Sequence, residues 1–324
     1  MQPNFGSAVV VVPTIRERSI KEFLSAWSTA FRAATVIVVE DQPERAFDID
    51  GPNVEHYCHA DIERELGDLA WIIPRKTDCV RSFGYFKAWQ KKPDLIVTLD
   101  DDCFPTDGED GFLETHWRRL NEPAKTDAWV TTLDGVMPRG MPYFATQREL
   151  PCVINHGLWN ALPDFDAPTQ LVHSRNPTPV SWTNRSIPVG SYFPMCGMNL
   201  AFRPEVVPAL YFLLMGRDYE YHRFGDIWAG IIIKKIADHL GYSINSGEPA
   251  VKHIRASNLW ANLRAEAPGL EMNERFWSHI DKIRLTGATF GACHRQIAAG
   301  LRLPGAYWEK LAMAMQAWGG LFDG

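Results

Sequence analysis

Three consecutive acids, Asp100, Asp101 and Asp102, directly follow an apolar run at residues 95–99. Such a run is typical of a buried strand in a parallel sheet. Adjacent carboxylates repel one another and resist desolvation, and a divalent cation such as Mg²⁺ or Mn²⁺ removes that cost. Because open α/β sheets bind ligands at the carboxyl ends of their strands, these acids could hold a metal that clamps a diphosphate. The alternative is a polar turn whose acids are solvated.

The strands that must position these acids occur in the first half of the chain. Buried-strand patterns at residues 8–12, 35–39, 95–99 and 128–133 alternate with helical patterns, including one at 79–91. This order predicts a doubly wound, mostly parallel α/β sheet. Residues 134–200 are rich in Pro, Gly, Asn and aromatic residues, and a long irregular stretch usually builds a functional site. Residues 204–215 and 226–240 are predicted helices, and a mostly helical tail follows from about residue 274.

The composition of the 324 residues excludes several classes of function. A net charge of -6, without any basic block, argues against nucleic-acid binding. No segment approaches the roughly 18 to 20 apolar residues of a membrane helix, and residues 1–12 lack the features of a secretory signal. The six cysteines are scattered, so we expect a cytoplasmic protein with reduced thiols and no structural zinc. The missing GxGxxG fingerprint disfavours a flavin or dinucleotide site.

Nine short segments occur in an order that is typical of one known family. They are residues 12–16 (Val-Pro-Thr-Ile-Arg), 81–85 (Arg-Ser-Phe-Gly-Tyr), 100–104 (Asp-Asp-Asp-Cys-Phe), 156–159 (His-Gly-Leu-Trp), 163–170 (Pro-Asp-Phe-Asp-Ala-Pro-Thr-Gln), 193–202 (Phe-Pro-Met-Cys-Gly-Met-Asn-Leu-Ala-Phe), 226–230 (Asp-Ile-Trp-Ala-Gly), 238–242 (Asp-His-Leu-Gly-Tyr) and 256–258 (Ala-Ser-Asn). Through them the chain resembles the reversibly glycosylated polypeptides, also known as UDP-arabinopyranose mutases. The C-terminal tail matches weakly and the chain is shorter than plant members, which suggests a bacterial relative.

The resemblance implies a GT-A-like, Rossmann-like nucleotide-sugar fold that depends on Mn²⁺ or Mg²⁺. It implies an enzyme that interconverts UDP-arabinopyranose and UDP-arabinofuranose, so that a UDP-sugar is the substrate. It also implies a homo-oligomer. We expect residues 1–265 to form the catalytic domain and residues 266–324 to form a helical extension packed on it. Family members also attach the sugar reversibly to an Arg, for which Arg139 is the nearest match. Arg148 matches a second family Arg only if about two residues are inserted.

The resemblance also assigns residues to a metal site. Asp102 is expected to bind the metal directly. Asp100, a further candidate ligand, and Asp101 are expected to face the ribose, the sugar or a water molecule. His253 matches a family His after a late strand, and imidazole is an acceptable Mn²⁺ ligand. The alternative for His253 is a hydrogen-bonded structural residue.

The nucleotide is expected to lie against the loop that follows the first strand. Pro13, Thr14 and Arg16 form this loop, where the base and ribose would sit, and Asp41 could accept a hydrogen bond from uracil N3–H. Arg16 and Arg81 could bind the diphosphate, because guanidinium geometry fits phosphate oxygens. The alternative for each Arg is an exposed surface residue.

The ring contraction needs the C1–O5 bond of the sugar to break and O4 to attack C1. Arg139 is the candidate nucleophile, although a guanidinium is essentially always protonated and would need a carboxylate base. Asp164, Asp166 and Glu149 are the acids that could supply it. Arg139 could instead stabilise charge, with the Arg adduct a side product, or be a structural loop residue.

Four further residues complete the predicted site. Asp226 matches a family acid at a helix start and is expected either to act on the sugar or to cap the helix only. His156 and Trp159 lie in the irregular region, and Trp159 either covers a sugar face or packs in the core. Gly197 is expected to allow close approach of the backbone to the substrate.

Two rival functions remain open from the sequence. The first is an inverting or self-glycosylating glycosyltransferase that uses the same UDP-sugar donor, with Asp226 as its candidate base. The second is a non-catalytic UDP-sugar-binding partner subunit, against which the presence of both the triple Asp and Arg139 argues.

Overall fold

The computed structural model describes residues 6–106, 111–127, 129, 138–142, 144, 147–161, 164–173, 183–254 and 258–323. The strands among these residues are, in chain order, β1 (Ala8–Thr14), β2 (Thr35–Glu40), β3 (Val54–Tyr57), β4 (Leu95–Leu99), β5 (Cys103–Pro105), β6 (Ala124–Asp127), β7 (Gln147–Leu150), β8 (Cys152–Ala161), β9 (Arg185–Ser186), β10 (Asn199–Phe202) and β11 (Ser243–His253). The helices are α1 (Glu17–Trp27), α2 (His59–Leu66), α3 (Arg81–Gln90), α4 (Phe112–Leu120), α5 (Ala167–His173), α6 (Gly225–Leu240), α7 (Leu259–Asp281), α8 (Phe290–Gly300) and α9 (Ala306–Gly320). Shorter 3₁₀ helices span Gly67–Ile72, Asp78–Val80 and Pro204–Ala209.

The main sheet holds nine of these strands in the order β3-β2-β1-β4-β10-β8-β11-β5, with β9 paired to β11 outside that path. Neighbours from β3 to β4 are parallel, as are β8 and β11, while β10 runs antiparallel between β4 and β8. The short strands β5 and β9 are antiparallel to β11. Most strands therefore run in one direction, which confirms the predicted mostly parallel α/β sheet. The carboxyl ends of β2, β1 and β4 meet at one edge.

The central strands are buried on both faces because almost every residue in them is apolar. In β1, Val9 and Val11 belong to one hydrophobic core, whereas Val10 and Val12 belong to another. Alternate side chains point to opposite faces of a strand, so a run of Val residues fits between two helical layers. Helix α3 packs on the face of the first core, and Trp27 of α1 belongs to the second.

The C-terminal helices α7, α8 and α9 join the first core through aromatic residues, as the predicted helical tail requires. Trp228 of α6 stacks on Phe276 of α7 with ring centroids 4.5 Å apart, and Trp308 and Trp318 of α9 are buried in the same core. The boundary predicted between residues 265 and 266 lies within α7, which is one continuous helix. The division into a catalytic domain and an extension stays a prediction.

Residues 204–215 differ from the helix that their apolar pattern predicts. Only the 3₁₀ helix Pro204–Ala209 forms, and the chain beyond it is irregular. Pro208 lacks a backbone N–H and cannot extend an α-helical ladder. Leu213 has a φ of +64°, which is incompatible with a right-handed helix.

Strand β8 lies within the stretch predicted to be irregular. Its polar residues Asn155 and His156 interrupt the apolar pattern, yet both are buried and hydrogen-bonded within the fold. The strand predicted at residues 128–133 lies outside the described residues except at residue 129. Among the helices that the structure describes, none has the length and hydropathy that crossing a membrane requires.

Candidate active site

The carboxyl ends of β1, β2 and β4 bring several predicted site residues to one edge. Thr14, the last residue of β1, donates from Oγ1 to Asp101 Oδ2 across 2.7 Å. Asp41 follows β2, and its backbone N–H donates to the Thr14 carbonyl across 2.9 Å. Pro13 lies beside Val39 in the parallel register. The loop after β1, Asp41 and the triple Asp therefore form one continuous edge of the sheet.

Asp101 is buried at this edge and is paired with Arg16. The guanidinium donates to both carboxylate oxygens of Asp101, from Nε across 3.3 Å and from a terminal nitrogen that also lies 3.5 Å from Asp102 Oδ2. Burial raises the pKa of Asp101 although Arg16 and Thr14 both bond its charged form. The Arg16 side chain is 36% exposed, so it is accessible to an anionic ligand. Its contact with a diphosphate stays a prediction.

Arg81 lies behind Asp100 and is only 1% exposed. Its guanidinium pairs with the Asp100 carboxylate. It also donates to Thr98 Oγ1 across 3.1 Å, to the Gly197 carbonyl across 2.7 Å and to the Asp78 carbonyl across 3.2 Å. A buried guanidinium is stable only with such a set of partners. Arg81 therefore holds Asp100 in place, and its predicted contact with a diphosphate stays a prediction.

Asp102 and His253 come together because β11 pairs with β5, with His253 opposite Cys103. His253 Nε2 lies 3.8 Å from Asp102 Oδ1, and the Ile254 N–H donates to the Asp102 carbonyl across 2.9 Å. Burial first, and then the charge of Asp100, raise the pKa of Asp102 to about 6. A carboxylate that is costly to ionise would be stabilised by a bound cation.

The donors at Asp102 and His253 fit a divalent cation. One or two carboxylates commonly hold Mg²⁺, while substrate phosphates and water complete its shell, and imidazole suits Mn²⁺. Asp100 and Asp101 are each paired closely with an Arg, so Asp102 is the most available carboxylate of the three. Over the described ranges, no group of three or more His, Cys, Asp or Glu side chains is arranged to hold a metal alone. The protein would therefore supply Asp102 and His253, with the ligand completing the site.

Asp41 is buried, and its carboxylate shapes the loop ahead of α3. Oδ1 accepts from His59 Nε2 across 2.7 Å and from the Lys76 N–H across 3.0 Å, while Oδ2 accepts from the Thr77 N–H across 2.7 Å. Lys76 has a φ of +57°, which is uncommon for a residue other than Gly. Asp41 therefore holds a strained turn beside Thr14, and its contact with uracil stays a prediction.

A second acid group, consisting of Asp226, Asp164 and Asp78, lies next to Arg81 and Gly197. The Gly197 N–H donates to Asp226 Oδ2 across 3.0 Å, while its carbonyl accepts from Arg81. The backbone of Gly197 therefore connects Asp226 to Arg81, which holds Asp100. A Cβ at Gly197 would lie 2.9 Å from an Arg81 nitrogen, which explains why Gly occupies the position.

Within the second acid group, the pKa of Asp226 is raised. Burial, followed by the charges of Asp78 and Asp164, raises the pKa of Asp226 to about 7. Burial first, and then the charge of Asp164, raise the pKa of the nearby Cys196 thiol. A carboxyl group that titrates near neutrality can both accept and release a proton at physiological pH. Sequence reasoning missed Asp78, although its spacing of three residues from Arg81 in a helical start is a usable signal.

His156 supports the residues beside Gly197. The Cys196 N–H donates to His156 Nε2 across 3.2 Å, and Nδ1 lies 3.4 Å from Ser246 Oγ. Burial lowers the pKa of His156 to about 4, so the ring is neutral and Nδ1–H is assigned as the donor to Ser246. Trp159 is partly buried and packs edge-on against this ring at 5.6 Å. Contacts of either residue with a sugar stay predictions.

Four further predicted site residues have surroundings that differ from those of the two acid groups: Arg139, Arg148, Glu149 and Asp166. Asp166 Oδ1 accepts the Thr169 N–H across 2.7 Å and so caps the start of α5. Arg139 is exposed in a turn, and Arg148 is exposed on β7 beside Glu149. Within the described part of the chain, no contact joins either Arg to the second acid group. Their catalytic roles, and that of Asp166, stay predictions.

Comparison with known proteins confirms the resemblance seen in the sequence segments. Residues 5–323 match the family described as "Reversibly glycosylated polypeptide". "Probable UDP-arabinopyranose mutase 1" of Pisum sativum is 38% identical over an alignment of 329 positions, which covers 95% of this chain and 88% of the relative. "UDP-arabinopyranose mutase 1" of Arabidopsis thaliana is 36% identical over an alignment of 329 positions, which covers 95% of this chain and 90% of the relative. The chain belongs to the reversibly glycosylated polypeptide family.

Proposed function

We propose that this protein is a UDP-arabinopyranose mutase that depends on Mn²⁺ or Mg²⁺ and interconverts the pyranose and furanose forms of UDP-arabinose. The observation that carries the proposal is the set of contacts that runs from Asp100 through Arg81 and the backbone of Gly197 to Asp226. It connects the triple Asp, where Asp102 is a candidate metal ligand, to a carboxyl group with a pKa of about 7. The names of the plant relatives support arabinose as the sugar.

The proposed reaction moves one proton between two oxygens of the sugar. The C1–O bond to UDP breaks, the C1–O5 bond of the pyranose breaks, O4 bonds to C1, and UDP rejoins C1. O4 loses a proton and O5 gains one, so the composition of the nucleotide sugar is unchanged. Asp226 is the proposed carrier of that proton, because its pKa near neutrality allows both transfers. When bound, a divalent cation would offset the charge of the departing diphosphate.

Reversible glycosylation of Arg139 is a further part of the proposal. A guanidinium nitrogen would bond to C1 as the C1–O bond to UDP breaks, and it would give its proton to a carboxylate, because the free guanidinium is protonated at physiological pH. The exposure of Arg139 in a turn supports access for a nucleotide sugar. Intact mass spectrometry after incubation with UDP-arabinose tests this step. A sugar adduct that Arg139→Lys abolishes supports it, whereas turnover without an adduct assigns Arg139 a charge-stabilising role.

The deciding experiment incubates the purified protein with UDP-arabinofuranose and Mn²⁺, with and without a chelator, and separates the nucleotide sugars by chromatography. Metal-dependent appearance of UDP-arabinopyranose supports the proposal. Asp102→Asn should abolish it, whereas Asp68→Asn, at an exposed position of the surface, should not. Unchanged UDP-sugar refutes the proposal for arabinose. Release of free UDP without isomerisation indicates a glycosyltransferase, and binding of UDP-sugar without any turnover indicates a non-catalytic subunit.

A cytoplasmic location and a homo-oligomeric state belong to the same proposal. All six cysteines are buried as free thiols, which supports a reducing compartment. Light scattering coupled to size-exclusion chromatography tests the oligomeric state. A monomer at every concentration would refute that part of the proposal.

A further inference from the structure

Glu266 is a buried acid of α7 that bonds two separate segments of the chain. It is 5% exposed. Its Oε2 accepts the Ala167 N–H across 2.7 Å, and its Oε1 accepts from Arg223 Nε across 2.9 Å. A buried carboxylate is costly unless its oxygens have partners. Both oxygens of Glu266 have one: Ala167 begins α5, whereas Arg223 lies just before α6.

The two segments that Glu266 bonds are those that carry acids of the candidate site. Ala167 follows Asp164 by three residues, and Arg223 precedes Asp226 by three residues. Arg223 has a φ of +67°, a conformation that a residue other than Gly adopts only when its surroundings hold it there. The bond to Glu266 is one such restraint.

Asp164 and Asp226 converge on neighbouring residues of one loop. Asp164 lies near the Cys196 thiol, whose pKa is raised first by burial and then by the charge of Asp164, and Asp226 accepts the Gly197 N–H across 3.0 Å. The positions of these two acids relative to one another therefore depend on what holds their two segments together.

Helix α7 is closely fitted to the start of α6, which makes it a rigid support. A Cβ at Gly269, one turn beyond Glu266, would lie 2.3 Å from the Phe224 ring, so Gly allows this approach. Further along, Trp228 Nε1 donates to Asn273 Oδ1 across 3.0 Å. Glu266 therefore lies on a helix whose position against α6 is restrained by these two contacts.

We propose that Glu266 is a positioning residue of the active site, which holds Asp164 and Asp226 against residues 196–197. The catalytic consequence rests on the proposed mutase function, whereas the structural consequence does not. Glu266 is also the first residue of the C-terminal extension that the sequence predicts. The extension would then contribute to the geometry of the site in addition to covering the sheet.

The first test compares Glu266→Gln with Glu271→Gln, a matched change at a side chain of α7 that is 83% exposed. Gln removes the charge that faces Arg223 and leaves one carbonyl oxygen for two donors. Because a displacement of about 1 Å in a site can cost about 100-fold in rate, we expect kcat to fall at least about tenfold. KM for UDP-arabinofuranose should stay near the wild-type value, because the edge around Asp41 and Asp102 is untouched. Glu271→Gln should keep the wild-type kcat.

The second test does not depend on turnover. Cys196 is 7% exposed and lies near Asp164, so alkylation of its thiol should be slow in the wild type and faster in Glu266→Gln. Peptide mass spectrometry measures this rate, with Cys152, 1% exposed in β8, as the internal standard for general loosening. Faster labelling of Cys196 alone supports the proposal, even if the wild type isomerises no UDP-arabinose and the proposed function fails. Equal labelling of Cys196 in both proteins, or a parallel increase at Cys152, overturns it.

A second variant covers the case in which Glu266→Gln does not fold. Arg223→Gln breaks the ion pair but leaves the bond between Glu266 and Ala167 in place. We expect a lower kcat with unchanged labelling of Cys196, since only the segment of Asp226 is released. A wild-type kcat in folded Arg223→Gln would overturn the proposal.

Discussion

Replacing Asp226 by Asn tests whether the folded protein disfavours the ionised form of this carboxyl group. Burial and neighbouring acids raise its pKa from an ordinary value of 3.8 to about 7 in the folded protein. In the unfolded chain the group returns to its ordinary value. Because the folded state then binds the proton more tightly, the unfolding free energy falls as the pH rises from the unfolded pKa to the folded pKa. The loss is complete above about pH 7 and absent well below about pH 4.

The size of this loss follows from the difference between the two pKa values. Each pH unit between them costs about 1.4 kcal/mol, so the full loss is at most about 4 kcal/mol. The part lost between about pH 5 and pH 7 is at most about 2.7 kcal/mol, and we expect about 1–2 kcal/mol because Asp226, although its carboxyl group is desolvated, is not fully buried as a residue. Asn carries no charge, and its Oδ1 can still accept the Gly197 N–H, so the variant escapes the loss.

Urea unfolding of the wild type and Asp226→Asn at about pH 5 and about pH 8 measures this difference. The stability advantage of the variant should be larger at the higher pH, while kcat should fall by about 10²–10⁴-fold because proton transfer is lost. Asp68→Asn, at an exposed acid, should show neither effect. If the difference in unfolding free energy is the same at both pH values, Asp226 does not have a raised pKa. If kcat is retained, Asp226 does not carry the proton.

Three further changes test the surroundings of the two acid groups. Arg81→Lys keeps a charge beside Asp100 but cannot supply every hydrogen bond of the guanidinium, so urea denaturation should show a loss of about 2–4 kcal/mol; wild-type stability would contradict the described packing. Gly197→Ala places a methyl group 2.9 Å from an Arg81 nitrogen, and kcat should fall at least about tenfold with a smaller change in KM. His253→Ala should weaken Mn²⁺ binding by about 10–100-fold in titration calorimetry with UDP present; equal affinity would remove His253 from the metal site.

Local sequence patterns were enough to predict the sheet and the edge at which the acids lie. The apolar runs at residues 8–12, 35–39 and 95–99 are each encoded by consecutive residues, and a buried parallel strand needs little else. The acids that follow Leu99 lie at the end of that strand because they are adjacent to it in sequence, independently of contacts with distant segments. Strand β8 was missed because Asn155 and His156 are buried by partners from distant segments, and a local pattern does not contain those partners.

The roles of individual side chains depend on contacts between segments far apart in the chain. Arg16 ends one of the segments that resemble the family and Arg81 begins another, yet one side chain is 36% exposed and the other is 1% exposed. Nothing local in the chain distinguishes them, because the partners of buried Arg81 include Asp100, which follows β4, and Gly197, which precedes β10. The raised pKa of Asp226 likewise follows from desolvation and from charges brought near it by folding. The order of residue types along the chain therefore determines the fold and the family. Desolvation and pairing between distant segments, which exist only in the folded protein, determine which acid is charged and which arginine is accessible.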